Sequence, residues 1–184
     1  MSVRKAIAAL ASGLFFAIAS FAPAFAQVQN DHLIVPGQRV GPIRLGMGMD
    51  EVLATLGKPA WSYINPGDYL KIDTEMNYPS LDLEIRFTAG ATPTVKSITV
   101  TAYTKSSMLM NRVTWSDIRH FNNVFHTAQG FGLGSSSFEV ARAYGSYDSN
   151  STRAVGNNMN YKNLGLYFLS TQDFRIYSIS ISSP

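Results

Sequence analysis

The chain has 184 residues, 46% of them hydrophobic, no cysteine and a formal net charge of +3. The missing cysteine excludes disulfides, thiolate metal sites, cysteine nucleophiles and a lipidated cysteine. The basic residues are scattered, with no run or stripe to grip a polyanion, so no nucleic-acid partner is expected.

Residues 1–26 read as a secretory signal peptide. MSVRK carries two positive charges, AIAALASGLFFAIASFA is an apolar core, and PAFA ends in the small-x-small pattern of a cleavage site. The apolar run, about 17 residues, sits at the lower edge for a bilayer span, so an uncleaved anchor is the competing reading. Cleavage after Ala26 removes Arg4 and Lys5 and leaves 13 basic against 12 acidic residues. No later segment reaches membrane length. The expectation is a periplasmic or secreted protein with no stable membrane insertion after cleavage.

The arm DHLIVPGQRVGPI, with Pro36, Gly37 and Pro42, predicts extended chain. RLGMGMDEVLATLGKP then predicts a short helix. Gly48 takes the cap position, Glu51 sits three residues on, Val52 and Leu56 share a face, and Gly57 stops the helix in a left-handed conformation. WSYI (61–64) and YLKIDTEM (69–76) suggest two strands. Leu81, Leu83, Ile85 and Phe87 alternate with Asp82, Glu84 and Arg86, and Ile98 and Val100 with Ser97, Thr99 and Thr101. Such period-two alternation predicts antiparallel strands with one wet face.

TWSDIRHFNNVFHTA places Ile118, Phe121, Val124 and Phe125 at helical spacing behind Thr114 or Ser116, and predicts a helix. LGSSSFEVARAYGSY repeats the first helical pattern, with Ser136 and Glu139 forming a capping box. The region 147–161 is a weaker candidate for strands. Leu164, Leu166 and Phe168, then Ile179 and Ile181, predict two more strands with those side chains inward.

The matches between the halves keep their order. Leu45-Gly46 and Glu51-Val52 recur 88 positions later, where Leu56-Gly57 finds Tyr144-Gly145; Met76-Asn77-Tyr78 recurs at 83, and VKSITVT finds IYSISIS at 81. A series of this kind indicates a duplicated unit with altered loop lengths, one copy in 27–103 and the other in 104–184. The predicted class is α+β: two tandem repeats, each a short helix feeding an antiparallel meander.

The pattern G-x-I-R-L-G-M-x-x-x-E-V-x-x-x-L-G-x-P, with its second copy, resembles the tandem repeat of the β-lactamase-inhibitor-protein-like superfamily and the related units of SmpA/OmlA-type lipoproteins. The resemblance spans roughly residues 36–182 by the two-copy alignment. It implies one curved sheet of about eight strands, with helices on its convex side and a concave polar face for a partner protein. In that family a loop acid enters the target enzyme, and Asp73 is the nearest candidate here. The inhibitors' disulfides have no counterpart in this chain.

Catalytic constellations do not assemble in the sequence. His120 and His126 are six apart, about 600° around a helix, and His32 lies in the arm, so no zinc pair is expected. Gly134-Ser135-Ser136 belongs to a helix cap, with Phe138 where a nucleophile elbow needs glycine. LGMG and GFGLG lack the lysine of a phosphate loop and the full dinucleotide fingerprint. Asp82 and Glu84 share a strand face and are candidate paired carboxylates, but Arg86 follows them, which favours a solvated charge row. No enzyme, cofactor or metal is expected.

The second copy instead replaces outward Asp82, Glu84 and Arg86 with Gly165, Tyr167 and Leu169, beside Ser178, Ser180 and Ser182. Aromatic, weakly charged surfaces suit interface centres. Trp61, Tyr63 and Tyr69 are placed to rim the same surface; cover for the junction between copies is the competing role for Tyr167 and Leu169. The candidate protein-binding residues are Tyr167, Leu169, Glu84, Arg86, Trp61, Tyr63 and Asp73. The expected function is an exported non-catalytic protein-binding module, of the kind an inhibitor or immunity protein provides to an envelope protein. An envelope-assembly factor and a periplasmic binder of a small ligand or glycan are the alternatives.

Overall fold

The computed structural model describes residues 31–64, 74–104, 114–148 and 158–184. The arm forms β1 (Leu33–Val35), β2 (Arg39–Val40) and β3 (Ile43–Arg44), and leads into helix α1 (Met49–Leu56). Then come β4 (Trp61–Ile64), β5 (Thr74–Tyr78), β6 (Leu83–Phe87) and β7 (Val95–Thr101). The connection carries β8 (Tyr103–Thr104), β9 (Ile118–His120) and β10 (His126–Thr127). Helix α2 (Ser137–Tyr144) precedes β11 (Asn158–Tyr161), β12 (Leu166–Ser170) and β13 (Ile176–Ser182). The class is α+β, and every pairing in the main sheet is antiparallel.

Seven strands make the main sheet, in the order β11-β12-β13-β7-β6-β5-β4. Its middle pair is β7 with β13, where Ile98 faces Ile181, Thr99 faces Ser180 and Val100 faces Ile179. The predicted alternation therefore lines up across the join. Leu83, Ile85, Ile98, Val100, Leu166, Phe168, Ile179 and Ile181 are all essentially inaccessible to solvent. Val52 of α1 and Val140 of α2 are buried in the same cluster. Each such side chain contributes about 1.5–3 kcal/mol when fully removed from water, which is how two-turn helices, unstable alone, are held.

Both helices are fastened at both ends in the same way. At their starts, the Gly46 N–H donates to the Val95 carbonyl at 2.8 Å and the Gly134 N–H to that of Ile176 at 2.7 Å. The N–H groups of Val95 and Ile176 return bonds to Met47 and Ser135, both at 2.9 Å. At their ends, Tyr78 Oη donates to the Gly57 carbonyl at 3.0 Å and Tyr161 Oη to that of Gly145 at 3.4 Å. Gly57 and Gly145 have φ of 77° and 79°, but ψ of −164° and −150° carries the chain away extended rather than left-handed. Only glycine tolerates that region well.

The arm is extended as expected, and β1 pairs in parallel with β10 in a second, four-stranded sheet. Arg39 fixes it from within, giving Nη1 to Asp31 Oδ1 at 2.8 Å, Nη2 to Asp31 Oδ2 at 2.7 Å and Nη1 to the Gly41 carbonyl at 2.8 Å. This two-pronged pairing holds the Asp31 carboxyl far below the usual carboxylate range.

Several local expectations are corrected. The segment after Thr114 is no long helix: Trp115–Asp117 makes a single 3-10 turn, capped reciprocally by Thr114 and Asp117, and the chain then turns into β9. His120 and His126 accordingly lie on strands. Ser136 starts α2, but its hydroxyl makes no cap bond, so the predicted capping box is absent. Leu81 and Leu164 do not begin strands; each ends a 3-10 turn, and Leu164 is exposed. Asp82 and Gly165 follow those turns in the left-handed conformation and are buried, not outward on the sheet. About eight strands were expected, against seven in this sheet; residues 69–73 and 149–157, where further strand was anticipated, lie outside the described residues.

Gly165 marks the tightest backbone approach. Its φ is 59°, and a Cβ there would lie 2.0 Å from the Ser182 carbonyl oxygen and 3.1 Å from Gly37 Cα. Gly46 has φ of 80° with nothing near its notional Cβ. Gly165→Ala is expected to cost more than about 3 kcal/mol, because strain and overpacking add, while Gly46→Ala costs about 1 kcal/mol from strain alone. Urea denaturation of both variants checks the difference; equal losses would refute the steric account.

Candidate functional site

The side of the main sheet opposite the core is polar and runs across all seven strands. Cross-strand pairing places Trp61, Asn77, Glu84, Thr99, Ser180, Tyr167 and Asn160 in one continuous row. A second row holds Tyr63, Glu75, Arg86, Ser97 and Ser182, and a third Thr101, Ser178, Leu169 and Asn158. Because side chains alternate with period two, each row faces the same way as its neighbours.

This register brings together most of the residues singled out in the sequence. Trp61, Glu84 and Tyr167 share the first row, Tyr63 and Arg86 hold positions in the second, and Leu169 lies in the third. Trp61 is 48% exposed at the β4 edge. Tyr167 is half-buried, and Leu169 is half-buried and packs against the core cluster. For Tyr63 only the strand position is described, and Asp73 lies outside the described residues. At the centre of the face, the hydroxyls of Thr99 and Ser180 hydrogen-bond at 2.9 Å across the β7–β13 join.

The charged part of the face is a three-residue network. Arg86 gives Nε to Glu75 Oε2 at 3.1 Å and Nη2 to Glu84 Oε1 at 2.8 Å. Asn77 Nδ2 donates to Glu75 Oε1 at 2.9 Å. Two carboxylates thus share one guanidinium. Burial is the main cause that raises the Glu84 pKa, the Glu75 charge adds to it, and Arg86 opposes it. Glu75 and Asn77 were missed by sequence reasoning, although their alternation with Met76 and Tyr78 was a usable signal.

Asp82 leaves the expected pairing with Glu84. Its carboxylate accepts the Asn122 backbone N–H, and its carbonyl accepts the Thr101 N–H at 2.8 Å. Burial pushes its pKa up, against the Asn122 and Asn123 backbone donors and the charge of His120. It is a buried anchor for the connecting segment. The carboxylates that do share the open face are Glu75 and Glu84, both already engaged by Arg86.

Among the described residues there is no grouping of three or more His, Asp or Glu side chains that could hold a metal ion. His32 lies beside β1, His120 in β9 and His126 in β10. Among the same residues, no helix is long and apolar enough to cross a membrane. Comparison with known protein families, with curated proteins and with solved structures finds no match to this chain.

The Glu84 shift carries a sign. A carboxyl whose folded pKa is raised binds its proton more readily folded than unfolded, so ionising it weakens the fold as pH rises through that pKa. Glu84→Gln is therefore expected to raise the melting temperature at pH 8, and the gain should shrink toward pH 4. Thermal melts across that range test this; a variant less stable at pH 8 would show that the bond to Arg86 outweighs burial and repulsion.

Proposed function

We propose that this chain is an exported, non-catalytic protein-binding module whose open sheet face receives another protein. The reading rests on one observation above others: a continuous polar row crossing seven strands, with Trp61 on the edge strand β4 and Tyr167 one strand in from the other edge. Aromatic side chains flanking a weakly charged centre match the composition of interface cores, where Trp, Tyr and Arg carry most of the binding energy. Thr99, Ser97, Ser180 and Ser182 add short side chains that let a partner approach the sheet closely.

The tandem-repeat reading belongs to the same proposal. The paired fastening of α1 and α2, and the meeting of Thr99 with Ser180, the residue 81 positions on, support two copies of one unit placed about a local pseudo-twofold. This arrangement agrees with the resemblance to the β-lactamase-inhibitor-protein-like superfamily, in which helices lie on the convex side and the concave face grips a partner. Export rests on the signal-like segment at 1–26. Nothing in the chain identifies the target, and an envelope protein is the class proposed.

The test is capture from periplasmic extract with residues 27–184, followed by titration of the purified partner. Trp61→Ala and Tyr167→Ala should each weaken a stoichiometric complex by about 30-fold or more if they are binding anchors. Phe138→Ala, on α2 and away from the open face, should leave affinity within about threefold, as surface positions outside an interface do. Equal loss in all three would point to misfolding. No loss in either face variant would move the function to an envelope-assembly or small-ligand role.

A further inference from the structure

Away from the open sheet face, the arm, the end of α1 and the connecting segment line a partly open apolar cleft. Its volume is about 190 Å³, and Leu56, Leu81, Val124 and Phe125 form its walls with Pro42, His32 and Thr55. An apolar cavity of about 150 Å³ suffices to hold benzene. The size therefore suits a single six-membered ring with a small substituent.

Two features of the walls narrow the ligand. His32 is exposed and held at φ of 55°, a conformation that non-glycine residues seldom adopt, and its ring meets Phe125 edge-on at 5.9 Å with an 83° interplanar angle. Backbone held in a sparse region at the lip of a cleft requires support from surrounding structure; here the His126 N–H donates to the His32 carbonyl at 3.1 Å. Thr55 spends its hydroxyl proton on the Glu51 carbonyl at 2.8 Å, so toward a ligand its oxygen can only accept. The polar group that fits against Thr55 is a donor.

The second half of the chain supplies an internal comparison, which rests on the tandem-repeat reading. The residue matched to Leu56, 88 positions on, is Tyr144. Its ring lies among aromatic neighbours, 5.3 Å from Tyr161, 5.8 Å from Phe168 and 6.1 Å from Phe131. Its hydroxyl donates to Gln129 Oε1 at 2.7 Å. At the matched position the first half carries a smaller leucine, which lines the cleft.

We propose that this cleft binds a small neutral aromatic molecule bearing a hydroxyl, a phenol in chemical class, with its ring against Phe125 and Leu56 and its hydroxyl donating to Thr55 Oγ1. The site shares no residue with the open face, so its failure leaves the protein-binding reading standing.

The experiment is a titration of residues 27–184 with phenol, followed through the methyl NMR signals of Leu56, Leu81 and Val124. Cyclohexanol serves as the non-aromatic control of similar size. Saturable shifts at millimolar phenol, centred on those methyls and at least fivefold weaker with cyclohexanol, are expected. Leu56→Phe and Leu81→Phe, each filling the cleft from a different wall, should weaken phenol binding at least tenfold, with the remaining methyl spectrum showing that the variants fold. Shifts that never saturate, that centre elsewhere, that persist in a folded cleft-filled variant, or that cyclohexanol reproduces at equal strength would overturn the proposal. If neither variant folds, the wild-type titration with its control decides alone.

Discussion

Everything in this structure depends on the antiparallel pairing of β7 with β13. Each half of the chain contributes only three or four strands to the main sheet and one two-turn helix, too little to bury its own apolar face. The join puts Ile98 and Val100 against Ile181 and Ile179 and merges two partial cores into one cluster. It also converts two separate sheet edges, each a row of unpaired backbone groups, into a fully bonded centre. The same five register pairs that close the core set the open face, since Ser97, Thr99 and Thr101 meet Ser182, Ser180 and Ser178 on its far side. Core and candidate interface are two sides of one constraint.

Much of this was legible because period-two alternation states directly which side chains share a face. The alternation gave β6, β7, β12 and β13 and their inward residues, and the glycines after each helix marked its end. It also misled at Leu81 and Leu164, because a pattern of apolar and polar residues does not say where a strand begins. Pro79 fixes the first residue of a 3-10 turn, and the chain leaves that turn through a left-handed residue before β6 starts. Glycine at 165, matched to Asp82, was the available clue that this position needs φ above zero. An aspartate can stand there because its short polar side chain tolerates the region and finds a buried partner in the Asn122 backbone.

The failed helix after Thr114 has a similar origin. Ile118, Phe121, Val124 and Phe125 sit at helical spacing by sequence, yet the segment is drawn out by contacts that no local pattern records. Asn122 bonds to Asp82 and to the Ser80 carbonyl at 3.0 Å, Asn123 adopts φ of 48°, and Phe125 is buried where Gly41 leaves room for its ring. Tertiary packing overrides propensity in such stretches. The candidate site shows the same limit. Glu84, Arg86, Trp61 and Tyr167 could be named from the sequence, but their common row could not, since register comes from pairing between strands far apart in the chain.

The electrostatics of the open face follow from where that register places charge. Among the described residues Arg86 stands between Glu75 and Glu84 toward the β4 edge, while the rows on the β13 side hold hydroxyls, amides, Tyr167 and Leu169. The face is therefore graded along the sheet, charged near one edge and nearly neutral toward the other. A partner that covered it would desolvate Glu84 further and raise the cost of keeping it ionised. Glu84 meets that burial with its bond to Arg86 already made and with a pKa already raised, so covering it favours proton uptake. The neutral end asks only for shape. A charged molecule laid across such a face would meet different surroundings at its two ends, because the Arg86 network lies toward β4 and the uncharged rows toward β11.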